Sequence, residues 1–226
     1  MDELNALIGL DSVKEEIKDL ANLAIVHLQR KKQGLKVGPI SLHLVFTGNP
    51  GIGKTTVARI IAKIYKQLGL LSKDTVVEVG RNDLVAKYAG QTAIKTKNRI
   101  DSAMGGVLFI DEAYTLKRDD FGQEAIETLL KEMEEHRDNF AVIISGYTNE
   151  MERFIHSNSE LQSRFSTCIK FPDYSIDDLE RIFYLEWSKN DYTVIESAKP
   201  AIKLLIKELK ASKIDNFAMQ ESQKSL

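Results

Sequence analysis

Gly48-Asn49-Pro50-Gly51-Ile52-Gly53-Lys54-Thr55-Thr56 follows the apolar run Leu42-His43-Leu44-Val45-Phe46. It precedes the helical pattern Val57-Ala58-Arg59-Ile60-Ile61-Ala62-Lys63-Ile64. Strand, glycine-rich loop, Lys-Thr and helix, in that order, turn a GxxxxGK(S/T) match into a phosphate-binding loop. A polyphosphate needs backbone N–H groups at close range, and side chains at the glycine positions would block that approach. The helix opening near Gly53 adds unpaired N–H groups and the positive end of its dipole. On this reading Asn49, Pro50, Gly51, Ile52, Gly53, Lys54, Thr55 and Thr56 surround the phosphates of a nucleoside triphosphate. Lys54 reaches the β- and γ-phosphates, and the Thr55 hydroxyl takes a place on Mg²⁺.

Outward from this loop, short β-branched runs alternate with helical patterns. Thr75–Val79, Gly106–Ile110, Phe140–Ser145 and Ser166–Phe171 read as further strands, giving five in all. Such alternation is the pattern of crossover units in a parallel sheet covered on both faces by helices. Asp11 to Lys32 carries a helical stripe through Val13, Ile17, Leu20, Leu23, Ala24 and Leu28. Gly34, Gly38 and Pro39 then break the chain before the first strand. Beyond Phe171-Pro172-Asp173-Tyr174 only helical patterns follow, Ile176–Lys189 and about Ala198–Lys210. The expected organisation is an α/β nucleotide-binding domain over residues 1–172 and a small helical domain over 173–226.

The third strand ends in Asp111-Glu112. An acidic pair there sits at the C-terminal edge of the sheet, where open α/β folds bind ligands. Asp111 suits the carboxylate that orients Mg²⁺, and Glu112 suits the base that polarises an attacking water. Asp-Glu after a strand also fits a helix N-cap with a first-turn acid. It is the pairing with the phosphate loop that favours the hydrolytic reading.

Composition narrows the remaining classes. The 226 residues are 43% hydrophobic with a formal net charge of −2, enough for a core and without general attraction to nucleic acid. Arg30-Lys31-Lys32 with Lys36 is a local basic cluster where a long helix runs out, read as a solvated helix end. The single cysteine, Cys168, excludes an intramolecular disulfide framework and reads as a small core residue. His27, His43, His136 and His156 show no ligand spacing, so no metal site made by histidines is expected. No secretory signal or membrane-length apolar run is present, and a cytoplasmic location is the expectation.

GNPGIGKTT, GVLFIDEAYTL and the segment around LQSRF together resemble the AAA+ ATPases, P-loop NTPases with a helical lid. Within them the resemblance is to the branch that includes red-type Rubisco activase and stage V sporulation protein K. Ile8-Gly9-Leu10-Asp11-Ser12-Val13-Lys14, FGQEAIETLLKEME, FIHSNSELQSRF and FPDYS match that branch in order, from about Leu7 to about Leu209. The resemblance implies ATP with Mg²⁺ as ligand, ATP hydrolysis, and a homo-oligomeric, hexameric ring. It implies that Ile8 and Gly9 border the adenine. Arg164 corresponds to an arginine finger that completes the neighbouring subunit's site, a role for which the planar guanidinium fork is suited. A polar residue sensing the γ-phosphate follows the fourth strand in the family. Thr148 aligns without a gap and Asn149 with a one-residue shift.

Lys87-Tyr88-Ala89-Gly90 lies where AAA+ unfoldases carry an aromatic–apolar–glycine pore loop, so Tyr88, Ala89 and Gly90 are assigned that role by resemblance. An aromatic ring grips extended polypeptide through apolar contact at low rotamer cost. In this branch a helix ending near Lys210 is followed by an Asn-Ala-Arg-type motif. Here Asp215-Asn216-Phe217 continues to Leu226 without an arginine, so the expectation is an incomplete lid, frayed from about residue 215. The implied function is client-protein remodelling by an ATP-driven ring, with the client unknown. Two alternatives stay open: a nucleic-acid-associated AAA+ loader, which the charge does not suggest, and a nucleotide-binding scaffold with little or no turnover.

Overall fold

Five short strands build the core of the computed structural model: β1 (Leu44–Thr47), β2 (Val76–Val79), β3 (Val107–Ile110), β4 (Ala141–Gly146) and β5 (Thr167–Lys170). They form one sheet in the order β2-β3-β4-β1-β5, with every neighbouring pair parallel. All residues of β1, β3 and β4 are buried, as expected of strands covered on both faces. The edge strands β2 and β5 are partly exposed. The structure describes residues 1–38, 40–88 and 90–224, with 213–224 described by backbone only.

Helices α1 (Asp2–Asn5), α2 (Asp11–Lys32), α3 (Lys54–Gln67), α4 (Arg81–Leu84), α5 (Thr92–Ala103), α6 (Asp120–Glu135), α7 (Thr148–His156) and α8 (Ser159–Arg164) connect and flank the strands. A 3₁₀ segment, Ala113–Arg118, lies between β3 and α6. α3 buries Val57, Ala58, Ile61 and Ala62, the face that its 3.6-residue periodicity predicts. α5 and α6 are tied by Glu132, 4% exposed, which accepts from Lys97 Nζ at 2.6 Å. The basic trio Arg30-Lys31-Lys32 does form the last turn of α2, exposed and complementing the helix dipole.

The chain divides into two compact units. The first comprises Met1–Ala6 and Asp11–Asp173, and the second comprises Leu7–Leu10 with the chain from Tyr174 onward. The second unit contains α9 (Ile176–Lys189), opened by a reciprocal Ser175–Asp178 capping box, and α10 (Lys199–Lys224). Phe183, Trp187 and Tyr192 stack in sequence along it, with centroids 4.9 and 5.6 Å apart. The backbone of α10 stays helical to Lys224, beyond the expected end near Lys210, since Ala211–Lys224 contains neither glycine nor proline. Cys168 corrects another expectation. It lies on edge strand β5 with its side chain outward beside Lys170, while Ile169 points to the core. Partial burial raises its thiol pKa, which keeps it protonated rather than nucleophilic.

His43, 6% exposed, sits just before β1, and its Nδ1 accepts the Val142 N–H of β4 at 3.0 Å. Burial, followed by the nearby charge of Arg164, lowers its pKa from 6.5 to about 4. The unfolded chain therefore binds a proton on His43 between pH 6.5 and 4 that the folded chain rejects. Stability is full above pH 6.5 and falls as pH drops toward 4, by about 3 kcal/mol over the window. Denaturant unfolding should lose about 2 kcal/mol from this group between pH 7 and 5. His43→Gln should flatten that slope, and an unchanged slope in the variant would contradict the assignment.

Candidate active site

Register brings three chain segments to one edge of the sheet. Thr47 pairs with Gly146 across β1 and β4, and Ile110 pairs with Ile144 across β3 and β4. The loop after β1, the acidic pair after β3 and the end of β4 therefore converge. Between them lies a cleft of about 350 Å³ lined by Gly48, Pro50, Gly51, Gly53, Lys54, Thr55, Thr56, Asp111, Glu112, Gly146 and Tyr147. That volume falls within the range of small-ligand sites.

The loop is shaped by close approach. At Gly48, φ is +143°, and a Cβ there would meet Ile52 Cδ1 and the Phe171 carbonyl oxygen at 2.6 Å each. Gly53, at φ +90°, turns the chain into α3. Asn49 Nδ2 donates to both carboxylate oxygens of Asp173 at 2.9 and 3.0 Å, tying the loop to the end of its unit. Ile52 is buried beneath the turn. Lys54 is 9% exposed, and its ammonium donates to the carbonyl oxygens of Gly48 (2.9 Å) and Asn49 (2.7 Å). Burial lowers its pKa, while the carboxylates of Asp111 and Glu112 act in the opposite direction.

The acidic edge is equally constrained. Ser145, fully buried, donates from Oγ to Asp111 Oδ1 at 2.5 Å. Glu112 is a non-glycine residue at φ +47°, ψ +46°, a left-handed conformation that costs about 1 kcal/mol. Its carbonyl holds the turn by accepting from Thr115 N (2.9 Å) and Thr115 Oγ1 (2.7 Å). The Tyr114 phenol lies within the electrostatic reach of the Glu112 carboxylate. Burial first, then the charge of Glu112, raises the pKa of both Tyr114 and Tyr147. Two neutral phenols thus flank a pair of carboxylates.

The donor set fits a nucleotide with Mg²⁺. The loop offers backbone amides and a buried ammonium to phosphate, while the Thr55 hydroxyl and Asp111 carboxylate are the hard oxygen ligands that Mg²⁺ takes. Thr55 Oγ1 donates to Glu78 Oε1 at 3.4 Å, leaving its lone pairs available. Thr148 and Asn149 open α7 and are not among the cleft-lining residues; Gly146 and Tyr147 occupy that rim, with Ser145 behind them. Arg164 lies on a separate hollow with Glu127, Glu134, Glu160 and Ser163, ion-paired to Glu134. Ile8 and Gly9 belong to the second unit, where a Cβ on Gly9 would come within 3.1 Å of the Asp178 carboxylate. Tyr88 is 70% exposed between α4 and α5, Gly90 has φ +76° with open space around it, and Ala89 lies outside the described residues.

Ser145, Glu78, Tyr114 and Tyr147 escape the sequence reading. Ser145 is the penultimate residue of a buried strand beside the acidic pair, and a hydroxyl there is the one local signal that could have found it.

A family model described as "ATPase family associated with various cellular activities (AAA)" matches residues 44–173. Stage V sporulation protein K of Bacillus subtilis is 44% identical over 213 residues, covering 93% of this chain and 66% of that protein. The chromosomal CbxX protein of Cupriavidus necator is 50% identical over 190 residues, covering 82% of this chain and 60% of that one. This chain thus spans about three fifths to two thirds of the length of these curated relatives. Among solved structures, a variant of RuvB from Thermotoga maritima superposes with a TM-score of 0.61 at 24% identity, over 88% of this chain and 57% of that one. That likeness is one of fold.

Removing the hydroxyl that aims Asp111 tests the metal arm of the cleft. Ser145→Ala should raise the Mg²⁺ concentration needed for half-maximal nucleotide binding by about tenfold, as loss of an orienting partner commonly does. An unchanged Mg²⁺ requirement in a folded variant would show that Asp111 needs no such support.

Proposed function

The chain belongs to the ATPase family associated with various cellular activities, and from that membership we propose that it hydrolyses Mg²⁺-ATP in this cleft and works as a ring that remodels client proteins. The observation that supports this most is the convergence of the phosphate loop, Lys54 and the Asp111-Glu112 pair on one cleft. Lys54 and the loop amides bind and orient the β- and γ-phosphates. When bound, Mg²⁺ neutralises charge developing on the phosphate oxygens, with Thr55 and Asp111 as its protein ligands. Glu112 holds the attacking water by accepting its proton.

Among the described residues that line the cleft none is an arginine. Arg164 faces a different hollow of the same subunit, which suits a residue that serves the site of a neighbouring copy. A guanidinium delivered there would meet the γ-phosphate as charge builds. The homo-oligomer, hexameric by family resemblance, is thereby part of the active site. Ile8 and Gly9 are proposed to border the adenine, and Thr148 or Asn149 to sense the γ-phosphate from the start of α7. The proposed division of labour is a nucleotide-binding body, expected over residues 1–172, and a helical lid, expected over 173–226, with Leu7–Leu10 grouping with the second of the two compact units.

The exposed ring of Tyr88 is the proposed client contact, acting with Ala89 and Gly90. Its 70% exposure leaves the ring free to meet polypeptide rather than core. Among the described residues no helix is long and apolar enough to cross a membrane. Tyr88→Ala should leave ATP turnover within about twofold while abolishing ATP-dependent unfolding of a permanently misfolded model protein. Equal loss of both activities would overturn the client-contact role.

A further inference from the structure

Arg81 opens α4 directly after β2, and its guanidinium reaches across to the segment behind the acidic pair. Nη1 donates to the carbonyl oxygens of Thr115 (2.9 Å) and Leu116 (3.4 Å), and Nη2 to Asp119 Oδ2 (2.6 Å). Asp119 in turn caps α6 by accepting the Gly122 N–H at 2.9 Å. The joint is tight. A Cβ on Gly122 would lie 1.7 Å from the Leu116 carbonyl oxygen and 2.6 Å from Arg81 Nη1. Only a planar fork can serve carbonyls and a carboxylate in these divergent directions at once.

One end of this joint is the hydrolytic residue. Thr115, whose carbonyl accepts from Arg81, donates both its N–H and its hydroxyl to the carbonyl of Glu112. The other end is the Tyr88 loop. Ala86 N donates to Thr92 Oγ1 (3.1 Å), Thr96 Oγ1 to the Leu84 carbonyl (3.1 Å), and Lys95 Nζ to the carbonyls of Asn82 (2.6 Å) and Val85 (3.0 Å). α4, the base of the loop and α5 are thereby fastened together beneath the exposed Tyr88 ring.

We propose that Arg81 is a positioning residue that transmits rearrangement at Glu112 to the Tyr88 loop, through Thr115 on one side and α4 on the other. The inference rests on the client-contact reading of Tyr88. Contiguous bonds carry coupling only where an element has two arrangements. Glu112 is a non-glycine residue in a left-handed conformation, a strained position of the kind that clusters at switch regions. The guanidinium bonds to Thr115, Leu116 and Asp119, which are not cleft-lining residues, so Arg81 acts through Thr115 and not on the nucleotide.

The test reads the loop directly. In the 226-residue chain the single tryptophan, Trp187, is replaced by Trp187→Phe, and Tyr88→Trp places a fluorophore at the loop tip. Its emission is compared with Mg²⁺-ADP and with Mg²⁺ and a non-hydrolysable ATP analogue. The expected result is a nucleotide-dependent shift in this parent. In the Arg81→Ala and Arg81→Lys backgrounds that shift falls at least about fivefold while affinity for both nucleotides stays within about twofold. A merely structural role would lower affinity and loop response together. Undiminished loop response with Arg81 removed overturns the joint while leaving the Tyr88 reading standing. No shift in the parent overturns both. Should Arg81→Ala lose its cooperative melt, Arg81→Lys and Asp119→Asn, which keeps an N-cap acceptor, decide between these outcomes by the same fluorescence shift.

Discussion

Backbone amides can hold a polyphosphate only if nothing stands between them and it, and the loop from Gly48 to Gly53 is built around that constraint. Gly48 is wedged against Ile52 and the Phe171 carbonyl with no room for a Cβ. Asn49 is clamped to Asp173, and the Lys54 ammonium folds back on the carbonyls of Gly48 and Asn49. The loop is thus pre-shaped by its own side chains, which lowers the ordering cost that a ligand would otherwise meet. The parallel register then does the rest. Because β1, β3 and β4 end on the same edge, whatever follows each strand must share the cleft.

Electrostatics divide the cleft into two halves. One presents amides and an ammonium whose pKa burial has lowered; the other presents Asp111 and Glu112 between two phenols kept neutral by burial and by the carboxylates themselves. Anionic phosphate suits the first half, and a divalent cation between phosphate and carboxylate reconciles it with the second. The described lining residues include two carboxylates, Asp111 and Glu112, but no guanidinium. On the proposed reading, supplying that charge from another subunit would make assembly and turnover one property. The hold of Glu134 on Arg164 in the single chain is then a contact that a neighbour's phosphates would have to replace.

Local patterns were legible, and tertiary relations were not. The phosphate loop and the strand-acid motif each lie within a dozen residues, so both could be picked out from spacing alone, as could all five strands and α2. Ser145, Glu78 and Tyr114 reach the site only through strand order and a turn, neither of which leaves a periodic trace. Cys168 was read as core because its run is apolar; its exposure follows from β5 being an edge strand, a fact of topology. Leu7–Leu10 groups with a unit more than 160 residues later in the chain, which no window near the N-terminus could announce. At the end of β4, Thr148 and Asn149 differ by one position in an alignment. In the structure both open α7, while Ser145 and Tyr147 sit nearer the carboxylates.

Mixing two separately inactive variants tests the shared active site most directly. Arg164→Ala keeps its own Glu112 but lacks the finger, and Glu112→Gln keeps the finger but lacks the base. Each alone should show negligible ATP turnover. Mixed at equal concentration, they should recover turnover, because a site with Glu112 from one subunit and Arg164 from its neighbour is whole. Activity in the mixture no greater than in either variant alone would contradict a cleft completed in trans.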